Sequence, residues 1–188
     1  PKSIADVKEN VKLIAKTLGE EDKGNLMIAK MDDKLAEIKE KVDNIKPEER
    51  KKLVLISLMT SYGGKGCTFD DICQYAGVIN GVSDAGLHNG QLLTKEMLVA
   101  INPDLLIMPV YNDHNTFDIE KYNKEFLDDP ALQTLNAVKE KRFFYPREGY
   151  IYNSSQDIVF GVQEVARAAY GELFSQPENC HISVAEIN

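Results

Sequence analysis

The sequence predicts an α/β fold: a doubly wound, mostly parallel sheet in a Rossmann-like three-layer lobe, preceded by a helical segment. Three observations carry this. Leu53–Met59 and Leu105–Met108 are apolar runs without a charge, as suits strands covered on both faces. Helical patterns with apolar residues stepping by three and four alternate with these runs, which is the order of a parallel sheet wound with helices. The first 46 residues are helical in period and have no strand before them, so 1–48 reads as a helical segment and 49–188 as the α/β lobe.

In the helical segment, Ile4, Val7, Val11, Ile14 and Leu18 mark one helix face, with Ser3 as N-cap, Asp6 three residues on, and Gly19 as the C′ residue. Ile28, Met31, Leu35, Ile38, Val42 and Ile45 mark a second helix, which Lys46-Pro47 ends. Its outer Lys/Glu lattice reads as a solvated face rather than a coiled-coil seam. The strand Leu53–Met59 follows, then the glycine-rich loop Thr60–Thr68, a helix over Phe69–Ala76 stopped by Gly77, and a turn-rich stretch to Asn89.

Leu93–Tyr111 organises the lobe. Thr94 is an N-cap and Glu96 a first-turn carboxylate, favoured by the helix dipole. Met97, Leu98 and Ile101 form the apolar face, and Asn102-Pro103 stops the helix. After the Leu105 strand, residues 112–129 are polar. Asp129-Pro130 is an N-cap followed by proline at N1, opening a helix with Ala131, Leu135 and Val138 inward. Arg142–Pro146 is a short strand. Ser154 or Ser155 caps the last long helix, with Ile158, Val162, Val165, Ala169 and Leu173 inward, and the tail from Ser175 carries no strong pattern.

With 22 Lys+Arg against 30 Asp+Glu, the net charge is −8, which argues against nucleic acid as partner, since phosphate binding needs a basic face. No apolar run approaches the ~20 residues of a membrane helix. The sequence opens at Pro1 in a polar helical pattern, so an N-terminal region is expected to have been removed. Cys67, Cys73 and Cys180 match no metal spacing; for Cys67 and Cys73, buried free thiols are favoured over a disulfide or a thiol site.

The loop Tyr62–Thr68 sits where phosphate loops sit, but its glycines fit neither G-x-x-x-x-G-K-[ST] nor G-x-G-x-x-G, and a tight, mobile turn is the better reading. His88, His114 and His181 are scattered and make no metal signature. No nucleophile–base–orienter set is visible, which weighs against an enzyme. Tyr62, Tyr111, Tyr150 and Tyr152 all follow predicted strands, so they share the carboxyl-end rim where open α/β sheets bind ligands. A tyrosine offers a flat apolar face and one polar tip, suited to a large, partly apolar ligand.

The order of motifs resembles the carboxyl-terminal part of class III substrate-binding proteins of ABC importers, which carry iron-siderophores, haem or cobalamin. The matching run is the two helices, LVLISLM, ICQYAGVIN, LLTKEMLVAINPDLLIMP, DDPALQTLNAVKEKRFFYP and the long final helix, covering about Ser3 to Phe174. Val78 stands where that family usually has the second glycine of A-G-G. The family has two α/β lobes joined by a long helix, with the ligand between them. The resemblance therefore implies a fragment, with the helix near Lys23–Ile45 as the connector and the first lobe outside the sequence.

The resemblance also implies roles by position. Glu96 matches an acidic residue that docks on the membrane permease. His88, Tyr62, Tyr111, Arg147, Tyr150 and Tyr152 match cleft-facing loops and are the expected ligand-binding residues. A non-enzymatic, extracytoplasmic monomer follows, periplasmic or lipid-anchored at the cell surface, with a metal chelate as ligand, an ABC permease as partner, and no cofactor or bound metal of its own. The alternatives are a flavodoxin-like redox or phosphate-binding domain using Gly63–Gly66, and a protein-interaction module using residues 1–46.

Overall fold

The computed structural model describes residues 1–59, 61–110, 117–147 and 149–185. Helices α1 (Ile4–Leu18) and α2 (Glu21–Val42) form a hairpin closed at Gly19, whose φ of 68° permits the reversal. Ser3 Oγ accepts from the Asp6 N–H at 3.1 Å, as the capping pattern predicts. Ile4, Val7, Met31, Leu35, Ile38 and Val42 are buried in one apolar cluster with the sheet and the last helix. Ile14 and Leu18, expected inward, are instead 59% and 70% exposed. Only the first half of α1 lies against the lobe, where the Ile4 N–H donates to Asp71 Oδ2 at 2.7 Å.

Among the described residues, four parallel strands follow in the order β2-β1-β3-β4: β1 (Lys52–Leu55), β2 (Ile79–Asn80), β3 (Leu105–Ile107) and β4 (Phe143–Phe144). Leu53 pairs with Leu105 and Leu55 with Ile107. Side chains alternate between two layers. Leu53, Leu55, Leu105 and Ile107 join the layer of α2, α3 (Thr68–Tyr75) and α8 (Ile158–Tyr170). Val54, Ile56, Leu106 and Met108 join Val82, Leu98, Leu132 and Leu135 on the other face, the side of α4 (Gly81–Asp84) and α5 (Lys95–Ile101). This is the doubly covered parallel sheet expected.

Several element bounds differ from the sequence reading. The first strand ends early: its last sheet bond runs from the Ile56 N–H to Ile107 O at 2.8 Å. Pro109 has no N–H to extend the neighbouring strand, and Leu58 and Met59 turn outward. Met97 is exposed and Leu98 carries the burial of α5. The polar stretch after β3 contains α6 (Ile119–Leu127), capped by Asp118 Oδ1 at 2.9 Å from the Lys121 N–H.

Asp129 caps as predicted, accepting from the Ala131 N–H at 2.8 Å, but Pro130–Leu132 is a single 3-10 turn, and Leu135, in extended conformation, separates it from α7 (Asn136–Lys139). Leu132 and Ala137 are therefore inward and Ala131 outward. Helix α8 begins at Ile158 with Asp157 as its N-cap residue, and it ends before Leu173, which is exposed while Phe174 is buried. Among the described residues, no helix is long and apolar enough to cross a membrane.

The tail, patternless in sequence, is a strap that runs back along α8. Gln163 Nε2 donates to Phe174 O and Ser175 O, and Gln176 Nε2 donates to Phe160 O. The Ile182 N–H donates to Asp157 Oδ1, and Lys30 Nζ donates to Ser183 O on the far side. Apolar periodicity cannot reveal such a segment, because backbone carbonyls hold it.

One close approach fixes the α2–α3 contact. Gly77 ends α3 at φ 66°, and a Cβ there would lie 2.4 Å from Val42 Cγ1. Gly77→Ala should destabilise by about 2–3 kcal/mol in urea unfolding. Combined with Val42→Ala, the two losses should be clearly less than additive, because truncating Val42 removes the clash.

Candidate functional site

The carboxyl ends of β1, β3 and β4 open on a cavity of about 520 Å³. Each strand supplies one wall through the residues that follow it: Ser57, Leu58 and Met59 after β1, Pro109 and Val110 after β3, and Pro146, Arg147, Gly149, Ile151 and Tyr152 after β4. Early termination of β1 is what turns Leu58 and Met59 into wall rather than core. The lining is apolar apart from Ser57, the Tyr152 phenol and Arg147, the only charged side chain among the described lining residues.

Tyr152 packs on Tyr62 with ring centroids 5.6 Å apart and planes tilted by 37°. The Tyr62 hydroxyl is 2.9 Å from Thr68 Oγ1 at the start of α3, and burial pushes its phenol up to about 12. Burial also raises the Tyr152 phenol, against a hydrogen bond from Ser57. Behind Tyr62 a narrow cleft of about 60 Å³ leads to Tyr122 and Phe126 of α6. Tyr122 lies 5.7 Å from Phe117 and 6.4 Å from Phe126, centroid to centroid, so the aromatic rim extends beyond the tyrosines singled out from sequence. Tyr122 was hidden by a polar stretch; the amphipathic spacing of Ile119, Tyr122 and Phe126 was the available signal.

The expected residues divide. Tyr152 and Arg147 line the cavity, and Tyr62 backs it. Tyr150 is corrected: it is 7% exposed, and its hydroxyl donates toward the Glu178 and Cys180 carbonyls and accepts from the Cys180 N–H at 2.8 Å. The tail provides carbonyls that draw this ring inward, where it holds the strap and is not among the residues lining the cavity. Tyr111 lies outside the described residues, as does His114.

His88 is exposed and is not among the residues lining the cavity. Its loop is zipped to the glycine loop by the Lys65 N–H to Leu87 O at 2.9 Å, the Asn89 N–H to Lys65 O at 3.0 Å and the Gly90 N–H to Ser61 O at 2.7 Å. At Gly64 a Cβ would sit 2.7 Å from the His88 carbonyl carbon, so only glycine lets the two loops meet. The N–H groups of Gly63, Lys65 and Gly66 are engaged by Asn89, Leu87 and Asp70, which pins the turn and removes donors that a phosphate would need. Glu96 is exposed in the first turn of α5, beside Thr94, whose Oγ1 accepts from the Met97 N–H at 3.2 Å.

Beneath the cavity, Glu164 of α8 is fully buried. Its Oε1 accepts from the Arg147 N–H at 2.9 Å and from Arg167 Nη2 at 2.8 Å, and lies 3.7 Å from Arg147 Nε. Burial works to raise this carboxyl, but the Arg167 hydrogen bond, the Arg147 N–H and the two guanidinium charges outweigh it and hold the group below the usual range. Arg147 Nη1 donates to Gln176 O at 2.9 Å and Pro177 O at 2.5 Å, so the strap fixes the guanidinium. Among the described residues no group of His, Cys, Asp and Glu side chains is arranged to hold a metal ion, and the three thiols are free, with Cys67 and Cys73 buried.

The raised Tyr62 phenol gives a signed prediction. Its folded pKa exceeds its unfolded one, so its contribution is present below pH 10 and is lost as pH rises toward 12. Over that window wild-type unfolding free energy should fall more steeply than that of Tyr62→Phe, by up to one proton's worth, about 1.4 kcal/mol per pH unit. Urea unfolding at stepped pH measures both slopes.

Comparison with known proteins places this geometry. The profile of the Periplasmic binding protein family matches residues 1–148. The uncharacterised ABC transporter substrate-binding lipoprotein YvrC of Bacillus subtilis is 24% identical over 180 residues, covering 93% of this chain and 53% of that protein. The chain thus spans about half the length of this curated relative. The periplasmic haem-binding protein RhuT from Roseiflexus has the same fold at 19% identity and a TM-score of 0.71, over 87% of this chain and 61% of that one. An Fe3+-hydroxamate transport protein from Saccharomonospora viridis superposes with a TM-score of 0.69 at 17% identity, over 90% of this chain and 56% of that one. The chain belongs to the periplasmic binding protein family.

Proposed function

We propose that this chain is a ligand-capturing lobe of the substrate-binding protein of an ABC importer, and that it takes up a large, partly apolar metal chelate such as an iron-siderophore, haem or cobalamin. The observation that carries this reading is the apolar cavity at the carboxyl ends of three parallel strands, with the Tyr62–Tyr152 pair at its edge. Its walls offer flat apolar surface and few polar groups, the composition of sites that bury a sizeable small molecule. The relatives' named ligands, haem and an Fe3+-hydroxamate, are chelates of this size class. An extracytoplasmic location follows from the family.

Capture here requires no chemistry on the ligand. The loops are braced before binding, by the zipper between the glycine loop and the His88 loop and by the strap across Arg147 and Tyr150. Preorganised walls lower the entropic cost of ordering on binding. The permease is the proposed partner, and Glu96, exposed on the α5 first turn, is the proposed contact.

Titration with a ferric catecholate, a ferric hydroxamate, haemin and cobalamin, read by quenching of tyrosine fluorescence, tests the reading in this chain and in a complete two-lobed receptor carrying it. One member of the panel should bind the complete receptor tightly and this chain more weakly, and Tyr152→Ala should reduce affinity in both. Absence of binding by the complete receptor to every member would overturn the proposal. Glu96→Lys should lower uptake through the permease while leaving chelate affinity unchanged and stability within about 1 kcal/mol.

A further inference from the structure

Arg147 is the charged wall of the cavity, and the carboxylate it meets among the described residues, Glu164, is shared. The same Oε1 that lies 3.7 Å from Arg147 Nε accepts from Arg167 at 2.8 Å, and Arg167 stacks 4.8 Å from the Phe144 ring, away from the cavity lining. Two guanidinium groups meet one buried carboxylate, so one positive charge is left uncompensated by this triad. The strap carbonyls of Gln176 and Pro177 are neutral; they fix the Arg147 guanidinium without cancelling it.

We propose that Glu164 and Arg167 set the charge preference of the cavity: the carboxylate is a buried counter-charge divided between a wall arginine and a remote one, and the division leaves the apolar cavity selective for ligands that carry a negative group. This rests on the cavity being a ligand site, as proposed above, and it extends that reading to residues that do not touch the ligand. Glu164 and Arg167 are positioning residues, acting through Arg147. In a partly desolvated site a charge several ångströms away still matters, because screening there is weaker than in water.

The test uses a matched dye pair on the full chain: anilinonaphthalene sulfonate, and its neutral parent N-phenyl-1-naphthylamine, which has the same apolar body without the sulfonate. The readout is the ratio of the two affinities at low ionic strength. Wild type should favour the anionic dye. Glu164→Gln should raise that preference roughly 3- to 10-fold, because the counter-charge is gone, and Arg167→Gln should lower it by a similar factor, because Glu164 then serves Arg147 alone. Leu58→Gln in the cavity wall should weaken both dyes, locating them there, and thermal unfolding confirms that each variant is folded.

A purely structural triad predicts equal losses for both dyes and an unchanged ratio in both charge variants, which would overturn the proposal. So would failure of either dye to bind the wild-type cavity. The chelate panel is a separate measurement, so a receptor that binds chelate with no opposite-signed ratio change keeps the function and loses this inference.

Discussion

Burial of β1 and β3 on both faces is the constraint on which the rest of the structure depends. Their alternating side chains are committed to two different helix layers, Leu53 and Leu55 to one, Val54 and Ile56 to the other. A slip of one residue would exchange the two sets and leave both layers mispacked. The register Leu53–Leu105 is therefore fixed by packing on two sides at once. Once it is fixed, the point where hydrogen bonding must stop is fixed as well, because Pro109 follows the end of β3 and offers no donor. The cavity is the direct consequence: three chains leave the sheet at one level, and their next residues become its walls.

Those walls are held by contacts of a different kind from the core. The glycine loop and the His88 loop are joined by backbone bonds, with Gly64 permitting the approach, and the segment after β4 is held from behind by the strap. Polar contacts of this sort contribute roughly 0.5–1.5 kcal/mol each, so the rim is braced without the bulk of a core. The same bonds hold the described rim residues while apolar side chains such as Leu58 and Met59 face outward. Exposed apolar side chains gathered around a cavity are what a binding surface requires and what an ordinary surface avoids.

The sequence was readable where local chemistry and burial agree. Thr94 caps its helix as the pattern predicts, and Asn102 ends it in the left-handed region, φ 45°. The apolar runs announce a doubly covered parallel sheet. Reading was poorer where long-range polar contacts decide. Tyr150 and Tyr152 sit two residues apart in one loop, yet one holds the tail and the other lines the cavity, because strap carbonyls from residues 178 and 180 capture the first. Asp129-Pro130 carries a correct helix-start signal, but extended Leu135 limits the outcome to one turn before a second short helix. Leu58 and Met59 belong to an apolar run longer than the strand it feeds, and only the partner strand's proline reveals where that run turns. The strap, Glu164 and Tyr122 left no apolar signature that a periodicity argument could use without the fold.

The Glu164 triad is best understood against what stability alone would favour. A buried ion pair often stabilises no more than a well-packed apolar replacement, because desolvation offsets the Coulombic gain. A triad of two cations and one anion does worse still, since its second cation is only partly compensated. Yet Glu164 is fully buried, and its oxygens gather the Arg147 N–H, the Arg167 guanidinium and Gln176 Nε2. The Arg147 backbone N–H anchors the segment after β4 to Glu164, and the Arg147 guanidinium holds the strap through the neutral Gln176 and Pro177 carbonyls, so neither of these contacts calls for Arg167 as a second cation. What the second guanidinium adds, on the charge division proposed above, is a residual positive field beside a lining that is otherwise apolar among the described residues apart from Ser57 and the Tyr152 phenol. Such a field discriminates among ligands of the same shape, which the apolar walls cannot do. On the proposed function, shape and apolar area would decide how large a molecule the rim accepts, and the shared carboxylate which charge it should carry.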